Sequence, residues 1–154
     1  MKDTLIVIDM QNDFIDGSLG TKEAEAIVDA VKEKIRSYTD AGKRVFFTQD
    51  THPENYLETY EGKHLPVTHC VRDSKGWEVS EKLPWQDGLC TKIEKGTFGF
   101  LEWNKYLADA KDIEICGLCT DICVISNALI IRAFYPDKDI LVDAKCCAGV
   151  TPDL

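Results

Sequence analysis

The residues best suited to chemistry in this chain of 154 residues sit where apolar, strand-like runs give way to turns. Foremost is Cys123, reached through residues 113–125, IEICGLCTDICVI. An apolar run enters a Gly and Cys turn, a Thr-Asp pair follows that can cap a helix, and Cys123 falls on the first turn of a very apolar helix. A thiol is largely protonated near neutral pH, so a nucleophilic Cys123 needs a base or a positive environment, and a helix N-terminus lowers the cost of negative charge. Asp9 closes the run TLIVID, Asp50 follows RVFFTQ, and Lys95 follows LCTKIE. Asp9 could take the thiol proton and later give it to a leaving group, while Lys95 could hold the carboxylate and favour the thiolate. The backbone N–H groups of Cys119 and Cys123 flank the turn and are placed to form an oxyanion hole. These types together point to acyl transfer or hydrolysis. Taken singly, each has an ordinary use: a cysteine on an apolar helix packs as core, an aspartate after a strand caps a turn, and a lysine before glycine is solvated. Their joint placement at strand ends carries the inference.

A second constellation is Asp50-x-His52 with His69 further on. Carboxylate and imidazole suit a divalent transition metal, and a pair spaced by one residue on an extended segment puts both side chains on one side. Glu61 or His64 could complete the set. Equally, His52 before Pro53 could close a turn, with His64 and His69 at the surface. Cys116, Cys119 and Cys123 lack a second CxxC pair and Cys116 belongs to the strand, so they do not read as a zinc cluster. No Gly-rich phosphate loop is present.

The elements that must position these groups alternate along the chain. Residues 4–9 read as a central parallel strand buried on both faces. A helix is expected over 21–40 with Ala24, Ile27, Val28, Val31, Ile35 and Tyr38 at helical spacing, ended by Ala41-Gly42. Strands follow at 44–49 and 89–94, a helix at about 99–110 packing through Phe100, Leu101, Trp103 and Leu107, a strand at 113–117, a helix at about 121–135 and a last strand at 139–143. Between them, 50–89 is irregular and holds all three histidines, as functional or mobile segments often do. Alternating strand and helix predicts an α/β, three-layer, doubly wound parallel sheet of Rossmann-like type, whose ligand site lies outside the carboxyl ends of the strands. Asp9, Asp50, Lys95 and the turn before Cys123 all fall there, on four separate strands.

Composition narrows the class. The length and a 44% hydrophobic content fit one domain, 1–154, with a substantial core. Eighteen Lys and Arg against 27 Asp and Glu give a net charge of -9, which disfavours nucleic acid or an anionic membrane as partner. The N-terminus enters a strand without a basic and apolar leader, and no apolar run approaches the roughly 20 residues of a membrane span. Seven cysteines, an odd number set mostly in apolar runs, fit reduced thiols, with Cys146 and Cys147 expected to be buried. The expected location is the cytoplasm.

The chain resembles the isochorismatase-like cysteine hydrolases, and among them the nicotinamidase and pyrazinamidase group. The resemblance runs through VIDMQNDF, TQDTHPENY, LPVTHC, IEKGTFGF and GLCTDICV, essentially the whole length. It implies a triad of Asp9, Lys95 and Cys123, a cis peptide at Leu118–Cys119, and a divalent metal beside the triad that holds a pyridine nitrogen: zinc foremost, iron or manganese otherwise. Asp50, His52 and His69 match that metal motif, with Glu61 preferred over His64 as the fourth ligand. The activity implied is hydrolysis of nicotinamide to nicotinate and ammonia through a Cys123 thioester, in pyridine nucleotide salvage, with Phe14 and Trp77 as candidate walls for the ring. Alternatives are another small-amide or carbamoyl hydrolase, a vinyl ether hydrolase of the isochorismatase type, which needs no metal, and a non-catalytic binder of a metabolite or protein. The resemblance also implies a homo-oligomer, and the chain is shorter at its C-terminal end than the resemblance leads one to expect, which would leave a sheet edge exposed or covered by a partner.

Overall fold

In the computed structural model, which describes residues 1–153, five strands form one parallel sheet: β1 (Thr4–Ile8), β2 (Arg44–Asp50), β3 (Cys90–Lys95), β4 (Asp112–Leu118) and β5 (Asp139–Ala148), in the order β3-β2-β1-β4-β5. The order has a physical consequence. From β1 the chain winds outward through β2 to β3, then returns to the other side of β1 for β4 and β5. Right-handed crossovers therefore place the helices of the two halves on opposite faces, the doubly wound arrangement expected from the alternation. The reversal lies between β1 and β4, and the crevice it opens is at their carboxyl ends.

β1 is central and every one of its residues is buried, which is why TLIVI reads as an unbroken apolar run. Helix α2 (Lys22–Asp40) packs its expected stripe inward, with Ile27, Val28, Val31, Ile35 and Tyr38 all buried. Thr21 Oγ1 accepts the N–H of Ala24 at 3.0 Å and caps the helix; Gly42, at φ 72°, ends it. A short α1 (Asn12–Ile15) precedes it, and the segment between β2 and β3 holds a 3₁₀ turn (Tyr56–Glu58) and α3 (Tyr60–His64).

Three expectations are corrected. The helix read over 99–110 is only α4, Asn104–Leu107, and Leu101 is exposed, although Trp103 and Leu107 are fully buried. The preceding backbone is bonded elsewhere: the Phe98 carbonyl and the Phe100 N–H both bind the side chain of Asn127. The helix read over 121–135 is a π-helical turn, Thr120–Val124, followed by α5 (Ile125–Phe134). The Thr-Asp pair does not cap it, since Cys119 takes the cap position without a side-chain bond and Asp121 accepts the Val150 N–H. Finally, β5 continues to Ala148, because its pairing with β4 jumps from Ile115–Val142 to Gly117–Cys147 across a bulge and resumes. As an edge strand it leaves Leu141 and Val142 exposed. All seven cysteines are free, with Cys146 and Cys147 buried. Among the described residues no helix is long and apolar enough to cross a membrane.

Candidate active site

Asp9 follows β1 directly with φ 47°, a left-handed conformation that is uncommon for a residue with a Cβ. Thr48, on neighbouring β2, secures it: the Thr48 hydroxyl accepts the Asp9 N–H at 3.0 Å and donates to Asp9 Oδ1 at 2.6 Å. Oδ2 is left to face Lys95, whose ammonium lies 2.8 Å away. Lys95 ends β3 and reaches across the end of β2. Its Nζ also donates to the Thr97 carbonyl at 3.0 Å and to Cys123 Sγ at 3.6 Å, and lies 3.7 Å from Asp50 Oδ1.

Cys123 is brought in by the other half of the fold. Gly117, at φ 120°, sits so close to β1 that a Cβ there would lie 2.2 Å from the Ile8 carbonyl oxygen. This approach sets the following turn against Asp9. The Leu118–Cys119 peptide is cis, as the resemblance implies, and the Cys119 carbonyl accepts from Ile122 and Val124, at 3.1 and 3.0 Å, to close the π-helical turn that presents Cys123.

Asp9, Lys95 and Cys123 are each at most 4% exposed, and that dryness governs their protonation. Burial pushes the Cys123 thiol well up, Asp9 adds to it, and Lys95 opposes both. Burial also raises Asp9 from its ordinary 3.8, with Lys95 pulling the other way. Burial works against the charge of Lys95, but Asp9, Cys123 and Asp50 together outweigh it and hold the ammonium protonated. A carboxylate raised toward a thiol, with a fixed cation beside both, can pass a proton to and fro during a reaction without storing a free thiolate.

The second constellation also assembles. Asp50, His52 and His69 are all buried, and one ligand atom from each lies within 4.8 Å of the others. His52 Nε2 is 2.8 Å and His69 Nε2 3.5 Å from Asp50 Oδ2, while His69 Nδ1 is held by the Val67 carbonyl at 2.7 Å, which aims Nε2 at the cluster. Glu61 Oε2 lies 3.4 Å from His52 Nε2 and is buried without a hydrogen-bond partner. An orphaned carboxylate oxygen beside two imidazoles and a second carboxylate is a donor set that suits a divalent ion. His64 stands apart: it is exposed and its Nδ1 bonds to the Tyr60 carbonyl. Of the two candidates for a fourth ligand, Glu61 is at the cluster.

A cavity of about 140 Å³ joins the two constellations, reached by Cys119, Cys123, Asp50 and His69 and walled mainly by apolar side chains such as Phe14, Phe98, Ile122 and Val150. Phe14 is on the wall, as expected, with its ring edge-on to His69 at 5.4 Å. Trp77 is not: its indole N–H donates to Thr51 and its carbonyl accepts from Gln11 and Gln49. The sequence reading also passed over Thr48, Phe98 and Asn127. Thr48 was findable, two residues before Asp50 and so on the same face of a strand; Asn127 was too, a lone amide in an apolar helix four residues after Cys123.

The chain has relatives both in sequence and in fold. Residues 3–154 match the family model of the isochorismatase domain. The nicotinamidase of Saccharomyces cerevisiae is 25% identical over 188 residues, which covers 91% of this chain and 86% of that protein. The structure of the pyrazinamidase of Pyrococcus horikoshii in complex with zinc superposes with a TM-score of 0.83 at 30% identity, covering 99% of this chain and 89% of that one. N-carbamoylsarcosine amidase from Thermoplasma acidophilum gives 0.81 at 26% identity, covering 97% and 85%.

Proposed function

The chain belongs to the isochorismatase family and is a hydrolase acting on amide bonds, and we propose that its substrate is nicotinamide, converted to nicotinate and ammonia. The observation that carries this reading is the contact of Lys95 with both Asp9 and Cys123, at 2.8 and 3.6 Å, beside a buried set of nitrogen and carboxylate donors. The cavity supports a flat, uncharged amide. No arginine or lysine lines it, and Lys95 is already engaged by Asp9, which favours an uncharged amide over a substrate carrying its own carboxylate, such as isochorismate or N-carbamoylsarcosine.

Asp9 removes the Cys123 proton as the sulfur attacks the carboxamide carbon, and the carbonyl oxygen becomes an oxyanion held by the N–H groups of Cys119 and Cys123. Asp9 then gives its proton to the nitrogen. The C–N bond breaks, ammonia leaves and a thioester joins nicotinoyl carbon to sulfur. Water enters, loses a proton to Asp9 and attacks that carbon; the C–S bond breaks, and Asp9 returns the proton to Cys123. Lys95 stays charged throughout and keeps the Asp9 carboxylate turned toward the sulfur. Phe14 and Phe98 wall the ring. Asp50, His52, His69 and Glu61 would hold a divalent ion, zinc first and iron or manganese otherwise, which when bound supplies Lewis acidity toward a pyridine nitrogen. We place the reaction in cytoplasmic salvage of pyridine nucleotides.

Ammonia release from nicotinamide, measured with metal supplied, tests the reading. Release by the wild type and none by Cys123→Ala is expected; equal rates, or no release by the wild type, would overturn it.

A further inference from the structure

Asn127 lies in α5 and is fully buried, the one polar residue inside that helix with no exposure at all. Its amide is saturated. Nδ2 donates to the Cys123 carbonyl at 2.9 Å and the Phe98 carbonyl at 3.0 Å; Oδ1 accepts from the Phe100 N–H at 2.8 Å and from Trp103 Nε1 at 3.1 Å. An amide has two donor hydrogens and two acceptor lone pairs, and all four are used. The pattern also fixes its orientation, since a flipped amide would set donors against donors and oxygen against oxygen.

The partners belong to two pieces of the site that no strand pairing connects. Cys123 sits on the turn after β4. Phe98 walls the cavity, and the adjoining Thr97 carbonyl accepts from Lys95 Nζ. Segment 97–103 has no regular structure of its own until α4 begins at Asn104, so its position relative to Cys123 depends on side-chain contacts. A packing residue could be apolar at this place; a group that must span two carbonyls and two N–H donors could not.

We propose that Asn127 is a positioning residue that sets the separation of the Cys123 thiol from the Lys95 ammonium by tying the nucleophile turn to the segment that anchors Lys95. The proposal rests on the reading of Cys123 as nucleophile. Asn127→Leu removes all four bonds at similar volume. Asn127→Asp keeps both acceptor bonds but has at most one hydrogen to donate, so at least one of the Cys123 and Phe98 carbonyls faces bare oxygen and the tie between them is broken while the packing stays.

The test is the pH dependence of Cys123 alkylation by iodoacetamide, located by peptide mapping, beside kcat for nicotinamide. Both variants should move the alkylation profile to higher pH, slow labelling at neutral pH about tenfold, and lower kcat by roughly 10 to 100-fold, the scale of a displacement of up to an ångström. Trp103→Phe, which loses only one acceptor-side bond, should lower Tm and leave the profile in place. Profiles and kcat within twofold of wild type in Asn127→Asp would overturn the proposal, as would an equal shift in Trp103→Phe, which would mean that any loosening suffices. Should Asn127→Leu not fold, Asn127→Asp and Trp103→Phe decide. Failure of the wild type on nicotinamide overturns the substrate reading alone, because alkylation reads the Cys123–Lys95 arrangement without substrate.

Discussion

Asp9, Lys95 and Cys123 stand at the ends of β1 and β3 and on the turn after β4, whereas His52, Glu61 and His69 hang from the segment between β2 and β3. The two groups meet at Asp50, the last residue of β2, which approaches Lys95 at 3.7 Å and His52 at 2.8 Å. They are held differently. The strand-borne triad is tied through backbone: a positive φ at Asp9, the Gly117 approach to Ile8, the Thr97 carbonyl on Lys95. The loop-borne donors are tied by one isolated backbone bridge, His52 to Val71, by the Val67 carbonyl on His69 Nδ1, and by Tyr56, whose ring packs against His52 and His69 at 4.7 and 4.9 Å, and they leave the Glu61 oxygen unpartnered. Asp9 Oδ2 likewise accepts no hydrogen bond but has the Lys95 ammonium 2.8 Å away, whereas Glu61 Oε2 has only the His52 ring nitrogen at 3.4 Å, so the three catalytic candidates carry their own cation and the cluster has a place for an added one.

That contrast can be broken most directly at the triad. Asp9→Asn keeps the shape and removes the base, and it strips Lys95 of its nearest partner in a dry site. Loss of roughly 10⁴-fold in kcat/KM is expected, the upper end for a general base, with no recovery on adding metal. Steady-state ammonia release checks it; a variant that metal rescues would show that the two groups are not separable.

At the donor cluster the loss should be smaller and of another kind. His52→Ala or His69→Ala should weaken divalent metal binding by about 100-fold or more, beyond what removal of an outer partner costs, and lower activity in proportion. His64→Ala should stay within twofold of wild type in both, because His64 is exposed and bonds only to its own helix. Metal content after dialysis, beside activity with and without chelator, separates these outcomes.

The same contrast explains what the sequence made legible. The three catalytic candidates could be read because strands leave a strong signature: TLIVI is apolar on both faces and IEICG nearly so, Glu114 being its one charged residue, and whatever follows such a run lies at the edge where a doubly wound sheet binds ligands. The donors were grouped by type and by resemblance, Asp50-x-His52 with His69 and Glu61 ahead of His64, and not by pattern, since 50–89 has no period from which to place Glu61 nearer than His64. Helix α4 was overread because Phe100, Trp103 and Leu107 have helical spacing, yet a tertiary bond from Asn127 takes the backbone groups that a longer helix would use. The π-helical turn was hidden for a related reason: TDICV looks like a capped start, and only the approach of β4 to β1 decides otherwise. Non-local contacts of this kind leave no local pattern.

Thr48→Val should give a milder effect with a diagnostic sign. Asp9 must be ionised to accept the thiol proton, and its burial raises it above an ordinary carboxyl, so the acid limb of kcat/KM should fall above pH 3.8. The Thr48 hydroxyl favours the ionised form by donating to Oδ1. Its removal raises Asp9 further, so the limb should move to higher pH, with a loss of about tenfold at neutral pH. A pH–rate profile of the variant that overlays wild type would mean that Thr48 only packs.

Trp77→Phe should do least, and for that reason it tests where the ring of the substrate lies. An aromatic beside the loop was a natural candidate for a wall, but Trp77 does not line the cavity, and the two glutamines that bind it use its carbonyl, which phenylalanine retains. Only the bond from its indole to Thr51 is lost, at a cost of about 1 kcal/mol in stability, and KM should stay within about twofold. Phe14→Leu, at the wall and against His69, should raise KM severalfold more than that, as expected when an aromatic contact is lost from a pocket. The reverse order of KM values would put the ring on the Trp77 side and move the substrate out of the cavity that the triad and the donors share.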